Sequence, residues 1–207
     1  MTENSANLKY FFWRRLHSLV GIVPIGAFLL EHFYSNSYAF KGAAPFNEMV
    51  ATLQGIPIVI VIEICVIILP ILFHAGLGLA ILYASKQNVF QYGTYRNWMY
   101  FLQRITGVFA LIFVSFHVYE TRVKAALEGR LVTYDFMQHY FSSGGVKIFY
   151  IVGMVSVLFH FANGIATSLI TWGITVSKRS QEVAAAASWV LFFVMTVWGM
   201  KILYAFR

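Results

Sequence analysis

Six histidines are the residues in this 207-residue sequence best suited to chemistry, and four of them, His32, His74, His117 and His160, fall inside long apolar runs. They recur at intervals of 42, 43 and 43 residues, one on each of the first four runs. Ionisable side chains are rare within membrane spans, and those present face a bundle interior where something satisfies them. A neutral imidazole can do so by ligating a metal. With helices reversing direction at each crossing, depth follows from position along the chain. His32 lies 17 residues beyond Arg15, about 25 Å in, and His117 lies 18 residues beyond Met99, about 27 Å in. His74 is nine residues before Tyr83, about 14 Å from the inner face, and His160 is 16 before Val176, about 24 Å by the same measure.

Two histidines on opposite faces of one iron need their coordinating nitrogens roughly 4 Å apart. Neighbouring helices fit poorly, since His32 and His74 differ by about 10 Å in depth. Alternate helices fit better. The expectation is an outer pair, His32 with His117, and an inner pair, His74 with His160, separated by 85 and 86 residues. The chain has one cysteine, Cys65, which excludes a CxxCH attachment site, a zinc or redox CxxC and a four-cysteine cluster. Two stacked b-type haems with no open iron position are therefore expected, which suits electron transfer. A proton-relay transporter and a helix-bundle metal site remain open. The first would more naturally carry paired acids on broken helices, the second Glu-x-x-His pairs.

The elements that must hold these residues follow from composition. Hydrophobic residues make up 59% of the chain and charged residues 11%, against about 25% charged in an ordinary soluble domain. That excludes a soluble fold, and the apolar excess must face lipid. Five helices are expected, over residues 16–34, 56–83, 99–119, 146–176 and 183–204. The chain thus reads as one all-α integral membrane domain over 1–207 whose first four helices form the haem-binding bundle. Ser35 to Gln54 and Glu120 to Gly145 are expected to be its longest polar connections. Pro24 and Pro70 fall within helices one and two and should kink them.

The net charge of +7 comes from Lys and Arg at the ends of the apolar runs, which reads as membrane anchoring and gives no support for nucleic acid. Lys9, Arg14, Arg15, Lys86, Arg96, Arg104, Lys178 and Arg179 would lie on one side, seven basic residues on the other. The second side has longer loops and more acids, so a cytoplasmic N-terminus is narrowly favoured. Glu31 and His32 interrupt the first run and no small-residue cleavage site follows, which argues for a retained helix over a secretory signal.

Beyond the four histidines, His17 with Arg15 and Ser18 stands at the inner mouth of helix one, where haem propionates could be met by charge-assisted bonds. Arg104, inside helix three, needs an anion, and a propionate supplies one. His139 reads as a loop residue. Glu63, 11 residues before His74 and thus about 16 Å further out, falls near the level of the outer haem, with Glu31 and Glu48 in the same layer. No dinucleotide fingerprint, flavin motif or catalytic constellation is present, so any electrons must come from a partner.

The runs RRLHSLVGIVPIGAFLLEH (Arg14 to His32), EICVIILPILFHA (Glu63 to Ala75), NWMYFLQRITG with VSFHVYETR (Asn97 to Arg122) and FHFANGIATSLITWGITVSKRSQ (Phe159 to Gln181) resemble the five-helix di-haem cytochrome b subunits of succinate dehydrogenases that use menaquinone. The likeness covers essentially the whole chain, with histidine at all four family haem-ligand positions. It implies a bacterial cytoplasmic-membrane anchor for a flavoprotein subunit and an iron-sulfur subunit, with no succinate-oxidising site of its own. It further implies electron flow from the iron-sulfur subunit to the inner haem, then the outer haem, then menaquinone near the outer face. Quinone reduction takes up two protons, so an acidic group is expected there, with Glu63, Glu31 and Glu48 as candidates and a hydrogen bond to another helix as the alternative for Glu63. Serving another dehydrogenase or a fumarate reductase is the alternative. Some related fumarate reductases carry a glutamate two residues before the fourth ligand, associated with proton movement. Leu158 occupies that position here.

Overall fold

A computed structural model describes residues 2–207, with side chains from residue 11 onward; Met1 and the side chains of Glu3 and Lys9 lie outside the described part. Helix α1 runs over Thr2–Ile22 and α2 over Pro24–Asn36. Proline has no N–H for the carbonyl four residues back, so the helix breaks in a turn at Val23 and restarts with Pro24 in its first turn. A 3₁₀ turn over Ser37–Lys41 leads through Gly42, whose φ of 95° only glycine adopts at low cost, into α3 (Ala43–Gln54).

The second span comprises α4 (Val59–Ile62), a π-helical stretch over Glu63–Ile68 and α5 (Leu69–Ala84). The widened turn precedes Pro70, where a tighter helix would meet the proline ring and an undonated carbonyl. None of its described residues is fully buried, as expected for a helix that is apolar all round and faces lipid.

Helix α6 (Tyr95–Val118) starts at Thr94, whose hydroxyl accepts from Asn97 N, continues through a second π-helical stretch over Tyr119–Val123, and ends as α7 (Lys124–Leu127). Helix α8 (Tyr134–Tyr140) is capped by Thr133. Helix α9 (Gly144–Thr171) is the most buried element; α6 and α10 pack along it and α1 bridges it to α5. Helix α10 (Lys178–Ala205) opens with a reciprocal Ser177–Ser180 capping box. Five stretches are long and apolar enough to cross a membrane: Phe11–Lys41, Val59–Ala84, Tyr95–Leu127, Gly144–Thr171 and Lys178–Ala205.

Three boundaries differ from expectation for physical reasons. The fourth span ends at Thr171, five residues before the expected Val176, because Gly173 takes φ 71°. It lets Gly173 N donate to the Ile170 carbonyl at 3.0 Å and Ile174 N to Leu169 at 2.9 Å, a Schellman closure. The connection from Ser35 to Gln54 contains α3, an amphipathic helix whose Phe46, Met49, Val50 and Leu53 recur at helical spacing and line the bundle cavity. The connection from Glu120 to Gly145 holds the end of the third span and α8, which buries Met137.

Candidate haem-binding core

The structure brings together the histidine pairs that the spacing argument joins. The rings of His32 and His117 lie 5.7 Å apart, centre to centre, with their planes at 81°. Those of His74 and His160 lie 6.1 Å apart at 89°. Two imidazoles on opposite sides of one metal, each about 2 Å from it through nitrogen, place their ring centres about 6 Å apart. Both pairs line one continuous cavity of about 2670 Å³ running through the bundle, against roughly 300–1,000 Å³ for a single small-ligand site. The space fits more than one large, flat cofactor.

Three of the four rings are turned by a bond to Nδ1. His74 Nδ1 meets the His17 carbonyl at 2.9 Å, His160 Nδ1 the Gln103 carbonyl at 2.9 Å, and His117 Nδ1 the Tyr150 hydroxyl at 3.1 Å. His32 Nδ1 lies 3.5 Å from the Asn36 amide nitrogen, which donates to the His32 carbonyl at 2.7 Å. With Nδ1 committed in His74, His117 and His160, Nε2 is the nitrogen left for a metal in each, the arrangement that fixes tautomer and orientation in haem and zinc sites alike.

The His74 and His160 settings repeat one another. His17 and Gln103 each stand 57 residues before their histidine, and a glycine four positions later, Gly21 or Gly107, lies under the ring. A Cβ at Gly21 would sit 2.5 Å from His74 Cε1, and one at Gly107 2.9 Å from His160 Cε1. Gln103 closes its side of the clamp by donating from its amide to the His160 carbonyl at 3.0 Å. Buried Asn163 holds that amide through a 2.7 Å bond to its oxygen. Gly107 and Gly21 precede His117 and His32 by 10 and 11 residues, so the two pairs lie at levels about 15 Å apart along the bundle. The earlier depth of about 24 Å for His160 resulted from the overlong fourth helix; measured from Thr171 it is about 17 Å.

Arg15, His17, Ser18 and Arg104 all line the cavity at the end where α1 enters. Ser18 donates to Ser168 at 2.6 Å, and His17 stacks on His74 at 3.9 Å. Arg15 reaches the Thr171 carbonyl at 3.1 Å while its buried Nε has no acceptor. Arg104 bonds Ser85 Oγ and the Tyr100 carbonyl and lies over the Tyr100 ring. Neither arginine is paired with a carboxylate among the described residues, which suits an anionic group arriving from a ligand.

At the opposite end Glu63 meets Arg122 in a bidentate ion pair, Nη2 at 2.6 Å and Nε at 2.9 and 3.0 Å. This is the interhelical bond that was the alternative for Glu63. Glu31 lines the cavity, whereas Glu48 is exposed on α3 and lies outside the cavity lining. His139 is exposed on α8. The sequence reading missed Gln103, Asn163, Tyr150 and Arg122, along with Gly21 under the His74 ring. Gly21 was detectable, standing 86 residues before Gly107, the separation of the inner histidines.

The structure thus defines a multi-pass α-helical membrane protein that faces two histidine pairs across one internal cavity. Residues 84–199 match the family described as succinate dehydrogenase/fumarate reductase transmembrane subunit. Over 198 residues, 96% of this chain and 98% of the relative, it is 42% identical to the succinate dehydrogenase cytochrome b558 subunit of Bacillus subtilis (strain 168). The chain belongs to the succinate dehydrogenase/fumarate reductase transmembrane subunit family.

Proposed function

We propose that this chain is the membrane-anchor cytochrome b of a succinate dehydrogenase, holding two b-type haems between a soluble flavoprotein and iron-sulfur pair at its N-terminal end and menaquinone at the other. The observation that carries this reading is the pair of facing imidazoles at each of two levels, with three of four Nδ1 atoms bonded to a carbonyl or hydroxyl so that Nε2 of those rings is left for iron. His74 and His160 would hold the inner haem, His32 and His117 the outer one. Bound there, the haems supply one-electron transfer along the bundle.

The chain's own residues orient and insulate. Gly21 and Gly107 give the inner rings room against the helix backbone, and Arg15, His17, Ser18 and Arg104 are placed to receive propionates. The apolar lining excludes water, and N-terminal-end Lys and Arg favour that end on the cytoplasmic side, where the partners would dock. Quinone belongs near Glu63 and Glu31 at the far end. Leu158, the most buried large side chain among the described residues at 1% exposure, offers no proton carrier two residues before His160.

The test is haem extraction and reduced-minus-oxidised spectroscopy on the complex purified with its soluble subunits. Two b-type haems per chain, both reduced by succinate, are expected. One haem or none would refute the reading.

A further inference from the structure

Both π-helical stretches of the described chain lie at the quinone end, and one side chain from each meets the other. Glu63 begins the first and Arg122 falls within the second. Stretches of this kind are frequent at functional sites, since they displace a side chain from the regular helical lattice. The second is joined to the haem-ligand helix by Thr121, whose hydroxyl donates to the His117 carbonyl at 2.6 Å. Arg122 follows His117 by five residues, one π-helical turn.

The pair is asymmetric. Glu63 accepts three bonds, from Arg122 Nε and Nη2, so both carboxylate oxygens are engaged. Nη1 of Arg122 has no protein acceptor among the described residues, and the Arg122 side chain is 36% exposed against 22% for Glu63. Both residues line the cavity, where Ile56, Val59, Ile62 and Val66 supply an apolar wall. A bidentate carboxylate fixes the plane of a guanidinium and leaves its remaining N–H groups aimed as a rigid donor.

We propose that Arg122, oriented by Glu63, is the hydrogen-bond donor that seats a carbonyl oxygen of the quinone, and that Glu63 is a positioning residue with no direct contact to it. This rests on the succinate:menaquinone reading above and refines its quinone site. The charge balance selects the ligand class. Arg122 is already neutralised by its partner, so the pair suits a neutral carbonyl on an apolar molecule. A second carboxylate, such as a propionate, is better served by Arg15 and Arg104, which bond only neutral groups.

The experiment uses membranes containing the whole complex and compares wild type, E63Q and the double variant E63Q/R122Q, which removes both charges together and so leaves no buried ion unpaired. Three readouts are taken: the two haem components of the reduced-minus-oxidised spectrum, succinate oxidation with a soluble dye that accepts electrons before the membrane subunit, and KM for a short-chain menaquinone analogue. The double variant should keep both haems and the dye rate while KM rises about 10- to 100-fold, the loss expected for a hydrogen bond from a charged donor. E63Q alone, with its arginine still present, should raise KM by a smaller factor. An unchanged KM in the double variant overturns the proposal and leaves the two-haem reading standing. An E63Q effect as large as that of the double variant also overturns it, because Glu63 would then be the contact. Loss of the outer haem component in either variant overturns it in favour of a role in holding haem. A wild-type complex that lacks two haems or does not reduce the analogue would instead sink the functional reading itself.

Discussion

Gly21→Ala tests how closely the inner histidine is held. The added Cβ would lie 2.5 Å from His74 Cε1 and 2.9 Å from its Nδ1, whereas carbon atoms pack at about 3.5–4.0 Å. The ring must therefore retreat by about 1 Å. That stretches the 2.9 Å bond from His74 Nδ1 to the His17 carbonyl beyond the range in which a hydrogen bond counts. Overpacking costs about 1–3 kcal/mol and the lost bond about 1 kcal/mol. Together, about 2–4 kcal/mol corresponds to a 30- to 700-fold weaker hold on the group that His74 ligates. The assay is reduced-minus-oxidised spectroscopy of membranes, with a redox titration of each haem component. G21A should lose or shift one component, the same one that a His74 substitution removes, and leave the other at its wild-type potential. Gly76→Ala is the control, since a Cβ there meets nothing within 4 Å and should change neither component. If G21A matched wild type in both components, the claim that glycine is needed for His74 to ligate would be wrong.

Three further outcomes follow from the same structure. Asn163→Ala removes the 2.7 Å bond to the Gln103 amide oxygen and a 3.3 Å bond to the Met99 carbonyl, and should cost about 1–3 kcal/mol. It would appear as earlier loss of the inner haem on heating, with the outer haem lost at its usual temperature. Gly173→Ala forces alanine into φ 71° and should destabilise the end of α9 by about 1–2 kcal/mol, read as a lower unfolding temperature with both haem spectra unchanged. Ser188→Ala cuts the buried bond from α10 to the Ala162 carbonyl, 2.5 Å long, and should cost about 1 kcal/mol in thermal stability without altering either haem potential.

The spans and the histidine pairing were legible in the sequence because both rest on chain-level periodicities: runs long enough to cross a bilayer, and histidines repeating once per crossing. Helix ends and interfacial helices were less so. The α9 terminus turned on Gly173, a capping signal that hydropathy ignores, and α3 was hidden because its apolar stripe of Phe46, Met49, Val50 and Leu53 is diluted by polar neighbours. Glu63 stood out by its chemistry, as an acid in an apolar run. Its partner did not, because Arg122 near the end of the third span reads as one more basic residue flanking the membrane. Gln103 and Asn163 escaped for a different reason: they act by orienting His160, and a residue that positions another leaves no motif of its own.

The central claim is that alternate helices, not adjacent ones, share an iron. Its most direct test is a set of four single substitutions, at His32, His74, His117 and His160, each read by a redox-resolved spectrum of the assembled complex. The account predicts a two-by-two pattern: His32 and His117 variants lose one and the same component, His74 and His160 variants lose the other. A crossed pattern, such as His32 and His74 sharing a component, would contradict it, as would a spectrum with no b-type bands at all.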